Sequence, residues 1–486
     1  MSKSKTPSYI LTLQLHTELY QKYILNKRFE KCRKIYNSCL SEALKRYNHM
    51  TESKVYRKVC EINKDDKQRN KLFNKISKQY GLTEYSLINY VKSLYNYFNI
   101  DANTGQKLAS RAFNTIQKLM FHEANRVSFI KYNELYSIEG ASNRQGITYR
   151  DRIIKWQGLK IPIIIKNNDS YAQIAIQDRI KYCRITRKTI CGKIKYYVQL
   201  ILEGIPPQKV TKQGEIKGQI GQGRVGIDIG TRTIAISSKY DVKLLELAPN
   251  INNINREIKI LQRKMDRSKR MTNPNKYNEN GTIKCGNKIK WIYSNHYLKI
   301  KAKRKELYRK QSEMRKQDHY KMIGWLLPLG NKFYVETMNY KKLQKRNKKT
   351  TKNKNGKFNR KKRFGKSLAN KAPSMFLTML NQKLIYNGEQ LYKINTYKIK
   401  ASQYNHITNE YDKKELRNRW NKDLEIQRDL YSSFLIMNVV GENLDKIDRN
   451  RCFKTYDNFK LLHDKEINRL KQLKLNGSKL ISSMGI

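Results

Sequence analysis

Nowhere in this 486-residue chain does an apolar run approach the roughly 20 residues that a membrane span needs. The opening stretch, MSKSKTPSYI, has no apolar segment, which argues against a secretory signal and for a cytoplasmic protein. Paired cysteines are missing as well. Cys32, Cys39, Cys60, Cys183, Cys191, Cys285 and Cys452 contain no CxxC spacing, and an odd number suits a reducing compartment. The seven histidines do not complete a zinc pattern with them. Cys285 and His296 share a basic stretch, but two ligands do not make a site, so no zinc is expected. Acids are the scarcest class relative to their partners: 40 Asp and Glu stand against 102 Lys and Arg.

The resulting net charge of +62 sets the first functional constraint. A folded chain this basic repels itself unless a polyanion neutralises it. Nucleic acid does so with release of counterions from each phosphate. Hydrophobic residues make up 38% of the chain and 33 tyrosines add to them. Disordered chains are poor in both, so most of this one is expected to fold.

The pattern along the chain predicts an α+β, multidomain protein. Residues 8–15 read as a strand. A helical zone follows to about residue 135, with Phe29, Cys32, Tyr36, Cys39 and Ala43 as one apolar stripe. ITYRDRI, IPIIIK, YAQIAI, KYCRITR and KYYVQLIL, within 147–205, read as strands, and CGK at 191–193 as a hairpin turn. Residues 206–222 are rich in Pro, Gly and Lys and suit a linker. From 223 the chain alternates strands and helices: GRVGIDIGTRTIAISSK gives a strand pair, Ile254, Ile258, Leu261 and Met265 a helix, and a basic helix follows around 297–316. KFYVETMN reads as a strand, a helix begins at Pro373, LYKINTYKI is a strand and 425–440 an apolar helix. Residues 341–371 carry fifteen Lys or Arg and no acid, which suits a mobile segment or one lying on phosphate. Beyond 441 helix and disorder are both open.

GQGRVG at 221–226 has the glycine spacing of a dinucleotide-binding turn. That chemistry places its glycines after a strand and at a helix N-terminus. Here they precede a strand, and no nucleotide cofactor is expected. Three carboxylates are more informative. Asp228 interrupts the strand-forming run of Val225, Ile227 and Ile229, where a charge is costly unless paired or bound to metal. Glu336 ends the run FYV, and Asp429 opens a helix whose next turn carries Ser432 and Ser433. Acids on two strands and a late helix can converge at one end of a mixed sheet and hold Mg²⁺, with Mn²⁺ as a substitute, for phosphodiester hydrolysis.

At these residues the sequence resembles the transposon-encoded TnpB nucleases and the compact type V CRISPR effectors. GIDIGTRTIAISS, YVETMNYKKL and QRDLYSSFLIMN are similar to the three RuvC motifs of that family, with Asp228, Glu336 and Asp429 as the metal-binding catalytic acids and Arg428 in support. KYCRITRKTICGKIKYYVQLILEG is similar to the strand pair before the nuclease domain. The resemblance implies a helical recognition domain (16–139) inserted in a small β-barrel-like, wedge-like domain (1–15 and 140–205). It further implies an RNase H-like (RuvC) α/β domain (223–399 and 425–440) and a basic tail (441–486). Residues 400–424 stand where the family has a zinc ribbon, yet hold no cysteine. Ser402 and Gln403 look like the lead-in to the lost first pair. Tyr431, Ser432 and Ser433 replace the usual Asn and Ala residues after the third acid. The implied partners are a guide RNA, a double-stranded DNA target and its displaced strand, with the protein as monomer or homodimer on the RNA. Lys341, Lys342, Lys345, Arg346, Lys348, Lys349, Arg360, Lys361, Lys362 and Arg363 are candidates to line the nucleic-acid channel. Two alternatives stay open: an RNA-guided binder that does not cut, and an RNA-independent RuvC-like, structure-specific nuclease.

Overall fold

Side-chain alternation accounts for the first strand. In Ser8–Leu15, Tyr9, Leu11, Leu13 and Leu15 are buried and the intervening residues are not, the period of a sheet with one packed face. The computed structural model describes residues 6–63, 66–211, 213–284, 290–345, 349–352, 356, 358–359, 364–413, 415, 418–421 and 423–486. They divide into two units, Met1–Gln208 and Lys209–Ile486, and the whole is α+β.

In the first unit Ser8–Leu15 lies within a seven-stranded sheet. The order is Ser137–Glu139, Ile180–Ile190, Lys193–Glu203, Ser8–Leu15, Leu159–Ile164, Ile153–Trp156, Thr148–Arg150. The hairpin between Ile180–Ile190 and Lys193–Glu203 closes through Cys191 and Gly192, at φ 49° and 78°. Positive φ at both positions matches the twist of the strands. Helices from Leu19–Glu52 to Ala102–Met120 intervene between the first strand and its sheet partners. The stripe Phe29, Cys32, Tyr36, Cys39 and Ala43 is buried in Leu19–Glu52. Ala102–Met120 packs against that helix and buries Leu108, Ala109, Ala112 and Ile116.

Three local expectations need correction. YAQIAI is not a strand: Ser170–Ala175 is helical, Asp169 accepts from the Ala172 N–H at 3.0 Å, and Ala172 and Ala175 are buried. A side-chain cap and a three-residue burial step outweigh the two-residue alternation. LYKINTYKI is a strand only over Leu391–Ile394, because Asn395 caps a short helix, Thr396–Ile399. The N-terminal helices end at Met120, short of residue 135. Beyond 441, Arg449–Leu475 is one helix.

The second unit is built on a five-stranded sheet ordered Val242–Glu246, Thr233–Ser238, Arg224–Ile229, Lys332–Glu336, Leu391–Ile394. The first three strands are antiparallel neighbours, and Lys332–Glu336 runs parallel to both its neighbours. Val225, Ile227, Ile229, Ile234, Ile236, Phe333 and Val335 form a core with Phe376, Leu380 and Leu384 of helix Pro373–Ile385. The other face meets helices Arg428–Met437 and Arg449–Leu475 in a second core containing Ala235, Tyr334, Leu430 and Phe434. By the period of two, Gly226, Asp228, Ser237 and Glu336 belong to that second face. A pin fixes the start of the fourth strand. Asn331 and Lys332 both donate their N–H to Gly223 O, and a Cβ on Gly330 would meet that same oxygen at 2.6 Å.

Helices Ile251–Thr272 and Asn295–Leu326 form an antiparallel arm with its own core of Ile254, Ile258, Leu261, Met265, Ile300 and Leu307. Among the described residues, no helix is long and apolar enough to cross a membrane.

Candidate active site

Asp228 is the penultimate residue of Arg224–Ile229, and Glu336 is the last of Lys332–Glu336. These strands are parallel neighbours with Ile227 opposite Val335. The next residues along, Asp228 and Glu336, therefore leave the same face on strands about 4.8 Å apart. Asp429 approaches from the helix above, in the first turn of Arg428–Met437, where unsatisfied amides favour a negative charge. Gln427 caps that helix by accepting from the Leu430 N–H at 2.8 Å.

Small residues let the helix sit close on the sheet. A Cβ added to Gly226 would meet Ser433 O at 2.0 Å and Met437 N at 2.5 Å. Ser237 Oγ and Ser433 Oγ share a hydrogen bond of 2.6 Å. The serines after the third acid thus serve the packing of the helix that carries it.

All three carboxylates line one cavity of about 1060 Å³. Lys259, Lys366, Lys371, Lys413, Arg419 and Arg428 are among its walls, so an acidic floor faces basic sides. Burial, then the neighbouring Glu336 and Asp429, hold the Asp228 carboxyl well above its usual range, against the pull of Arg428 and Arg419. Burial also pushes Glu336 upward. Asp429 is paired with Arg428 Nη2 at 3.3 Å and Arg419 Nη1 at 3.5 Å. The Tyr340 hydroxyl, pushed up to about 12 by burial and by Asp228, is buried and among the described residues has no hydrogen-bond partner.

The segment before Asp429 is braced from the C-terminal side. Trp420 Nε1 donates to Gly485 O at 2.7 Å, and Gln427 Nε2 donates to Met484 O at 3.2 Å. The Gln427 N–H is accepted by His463 Nε2 at 3.0 Å, and His463 Nδ1 lies 2.8 Å from Asp464. Within 400–424, a stretch without cysteine, His406 packs against residues that follow Asp429. His406 is fully buried, with Nδ1 2.7 Å from Tyr431 Oη and with Phe434, Phe453 and Tyr456 around its ring. Burial, helped by Arg449, lowers its pKa to about 4.

Thus Asp228, Glu336, Asp429 and Arg428 meet at one cavity, joined by Ser402 and Gln403. Of the basic candidates, Lys341, Lys342, Lys345 and Lys349 are exposed and do not line it. Arg346, Lys348, Arg360, Lys361, Lys362 and Arg363 lie outside the described residues, as does Cys285. Arg419, Lys371, Lys413 and Tyr340 were missed as site residues. No spacing rule marks them, because only tertiary packing brings them to the acids.

Among the described residues, no group of three or more His, Cys, Asp or Glu side chains is arranged to hold a metal ion as it stands; Asp429 is paired with guanidinium groups instead. The chemistry of the donors nevertheless fits a hard cation. All are carboxylate oxygens, they open on one cavity, and two are raised in pKa, Asp228 by burial and then by the neighbouring acids, Glu336 by burial.

No protein-family model matches the chain, and no curated protein does. Several solved structures are similar to it, among them two determined by cryo-EM. One is a cryo-EM structure of a Cas12f1–sgRNA–target DNA complex, with 11% identity, 88% of this chain and 98% of that chain covered, and a TM-score of 0.39. The other is a cryo-EM structure of a CRISPR–Cas12f ternary complex, with 12% identity, 86% and 82% covered, and a TM-score of 0.25. Both are complexes of Cas12f proteins. At these TM-scores the likeness carries no weight on function, which rests on the acids and their surroundings.

Proposed function

We propose that this chain is an RNA-guided DNA endonuclease whose single RuvC-like site hydrolyses phosphodiester bonds. The observation that carries this reading is the convergence of Asp228, Glu336 and Asp429 on one basic-walled cavity at the end of a 3-2-1-4-5 sheet. That strand order, with the first acid on the first strand, supports an RNase H-like domain. Asp228, Glu336 and Asp429 would hold Mg²⁺, or Mn²⁺ in its place. A cation held by these residues would supply Lewis acidity at a phosphate and lower the pKa of water.

The chain's own residues do the rest. Lys413 and Arg419 draw the phosphate backbone into the cavity and offset its charge. The apolar cores on both faces of the sheet hold the acids in a setting of low dielectric. Gln427 and the helix amides fix Asp429. Arg428 and Arg419 occupy Asp429 in the structure described, and they become available to phosphate when that carboxylate takes another partner.

The charge of +62 supports a bound RNA, and the helical and β regions of the first unit offer surface for it. Base pairing would then select the DNA target. On this reading 206–222 links the guide-gripping part to the nuclease part, and 400–424 contacts the target without zinc.

The two guanidiniums on Asp429 also favour a second reading, a guided binder that does not cut. The same experiment separates the two. RNA that co-purifies with the protein is sequenced, and the complex is given matching plasmid DNA with Mg²⁺ or Mn²⁺. One dominant RNA with a constant scaffold, together with cutting that Asp228→Ala abolishes while DNA binding persists, is the expected result. Tight target binding without cutting at any metal concentration establishes the binder. Cutting of branched DNA after removal of all RNA establishes the guide-independent nuclease.

A further inference from the structure

The arm formed by Ile251–Thr272 and Asn295–Leu326 reaches away from the sheet. Its first helix has 22 residues, about 33 Å at 1.5 Å per residue. Among the described residues, the arm's outer end is held by hydrogen bonds. Asn273 is buried, donates from Nδ2 to Lys269 O at 3.0 Å and Ile292 O at 2.8 Å, and accepts from the Ile292 N–H at 3.0 Å. Tyr277 bridges Ile283, and Ser268 and Ser294 are hydrogen-bonded at 2.9 Å.

This framework presents aromatic rings among cations. Lys269 Nζ lies 3.4 Å from the centroid of the Trp291 ring, and Tyr277 packs beside that ring. Tyr293 and Tyr297 stack at 4.4 Å, with Lys301 near Tyr293. Met271 is 83% exposed, Ile292 65% and Tyr293 39%, unusual values for such residues at a hydrogen-bonded end. Residues 263–304 contain thirteen Lys or Arg and two acids, so an apolar protein partner would meet a dense positive field. Tyr293, partly exposed and fixed against Tyr297 among lysines, suits unpaired bases with their phosphates, which stack without regard to sequence. A duplex offers phosphates but no free base faces.

We infer that the arm tip binds single-stranded nucleic acid, with Tyr293 as the stacking platform and Lys269 and Lys276 at the phosphates. This surface is separate from the three acids, and it stands whether or not they cut.

The test uses the full-length protein with bound RNA removed, without divalent ions, at roughly 0.3 M salt to suppress general electrostatic binding. Fluorescence anisotropy follows labelled oligothymidine and oligouridine of about 20 nucleotides, and a duplex of equal length. Tyr293→Leu, which leaves the charge unchanged, is expected to weaken single-strand binding about tenfold and duplex binding less than about twofold. Tyr293→Phe restores the single-strand affinity. Binding quenches tryptophan emission, and Trp291→Phe removes that quenching. An unchanged single-strand affinity in Tyr293→Leu, with the fold verified by circular dichroism, overturns the proposal. So does an equal loss on single strand and duplex, or a loss of self-association in Tyr293→Leu with nucleic-acid binding intact. Preference for the thymidine or the uridine strand identifies DNA or RNA as the occupant.

Discussion

The two faces of the five-stranded sheet share a backbone and differ in almost everything else. One carries Val225, Ile227, Ile229, Ile234, Ile236, Phe333 and Val335, large side chains that fill a dry core. The other carries Gly226, Asp228, Ala235, Ser237 and Glu336, small or charged residues, together with the larger Tyr334, Val242 and Leu244. Both faces bury apolar cores. The second keeps small residues at Gly226, Ala235 and Ser237 so that a helix can come close and deliver Asp429 to the acids already on the strands. The placement of the acids and the narrowness of that gap are one arrangement.

The largest test of this contrast is Asp228→Asn. Cutting should fall by roughly 10³-fold or more in plasmid-cleavage kinetics, while target binding stays. Without divalent ions the same variant should be more stable than the parent. Burial and the neighbouring Glu336 and Asp429 charges make the Asp228 carboxylate costly, so a neutral isostere should gain on the order of 1–2 kcal/mol in denaturant unfolding. A loss of stability would mean that the acids hold the fold together.

Gly226→Ala comes next. Its Cβ would meet backbone atoms of the Asp429 helix, and backbone cannot give way as a flexible side chain can. The expected cost is about 3 kcal/mol, with cutting impaired in the fraction that folds. Full stability would show that the gap between helix and sheet is loose.

His406, in the core beyond the helix, gives a comparable effect that depends on pH. Its pKa of about 4 lies below the ordinary 6.5. As pH falls below 6.5 the unfolded chain takes up a proton that the folded one refuses, so stability falls steadily toward pH 4. The loss approaches about 3 kcal/mol, and His406→Phe should flatten that slope in thermal unfolding followed across the range. The smallest effect belongs to the dry face. Ile227→Val should cost about 1 kcal/mol and leave cutting unchanged, although Ile227 adjoins Asp228.

Much of the second unit was legible in the sequence, because alternation and helical stripes report burial directly. Asp228 and Glu336 stood out as charges closing apolar strand runs, and Ser432 and Ser433 as a place for close packing. YAQIAI misled because its alternation ignores Asp169 just before it, which supplies a helix cap, and the three-residue step from Ala172 to Ala175 that is buried. Arg419 was beyond reach. Nothing in RNRWN marks an arginine aimed at an acid, and its position depends on Trp420 and Gly485 meeting across the fold. The hydrogen-bonded end of the arm was hidden likewise, since the bonds of Asn273 join residues nineteen apart.

The pin between Gly330 and Gly223 constrains how this chain can change in length. From that anchor to Glu336 the strand counts residues in steps of two. Inserting or deleting one residue there would swing Glu336 into the dry core and bring Val335's position into the cavity. At the arm's outer turn, residues 278–282, the same change would alter only how far the tip reaches. Lineages descended from such a sequence should therefore vary in length at the arm and keep the interval from Gly330 to Glu336 fixed.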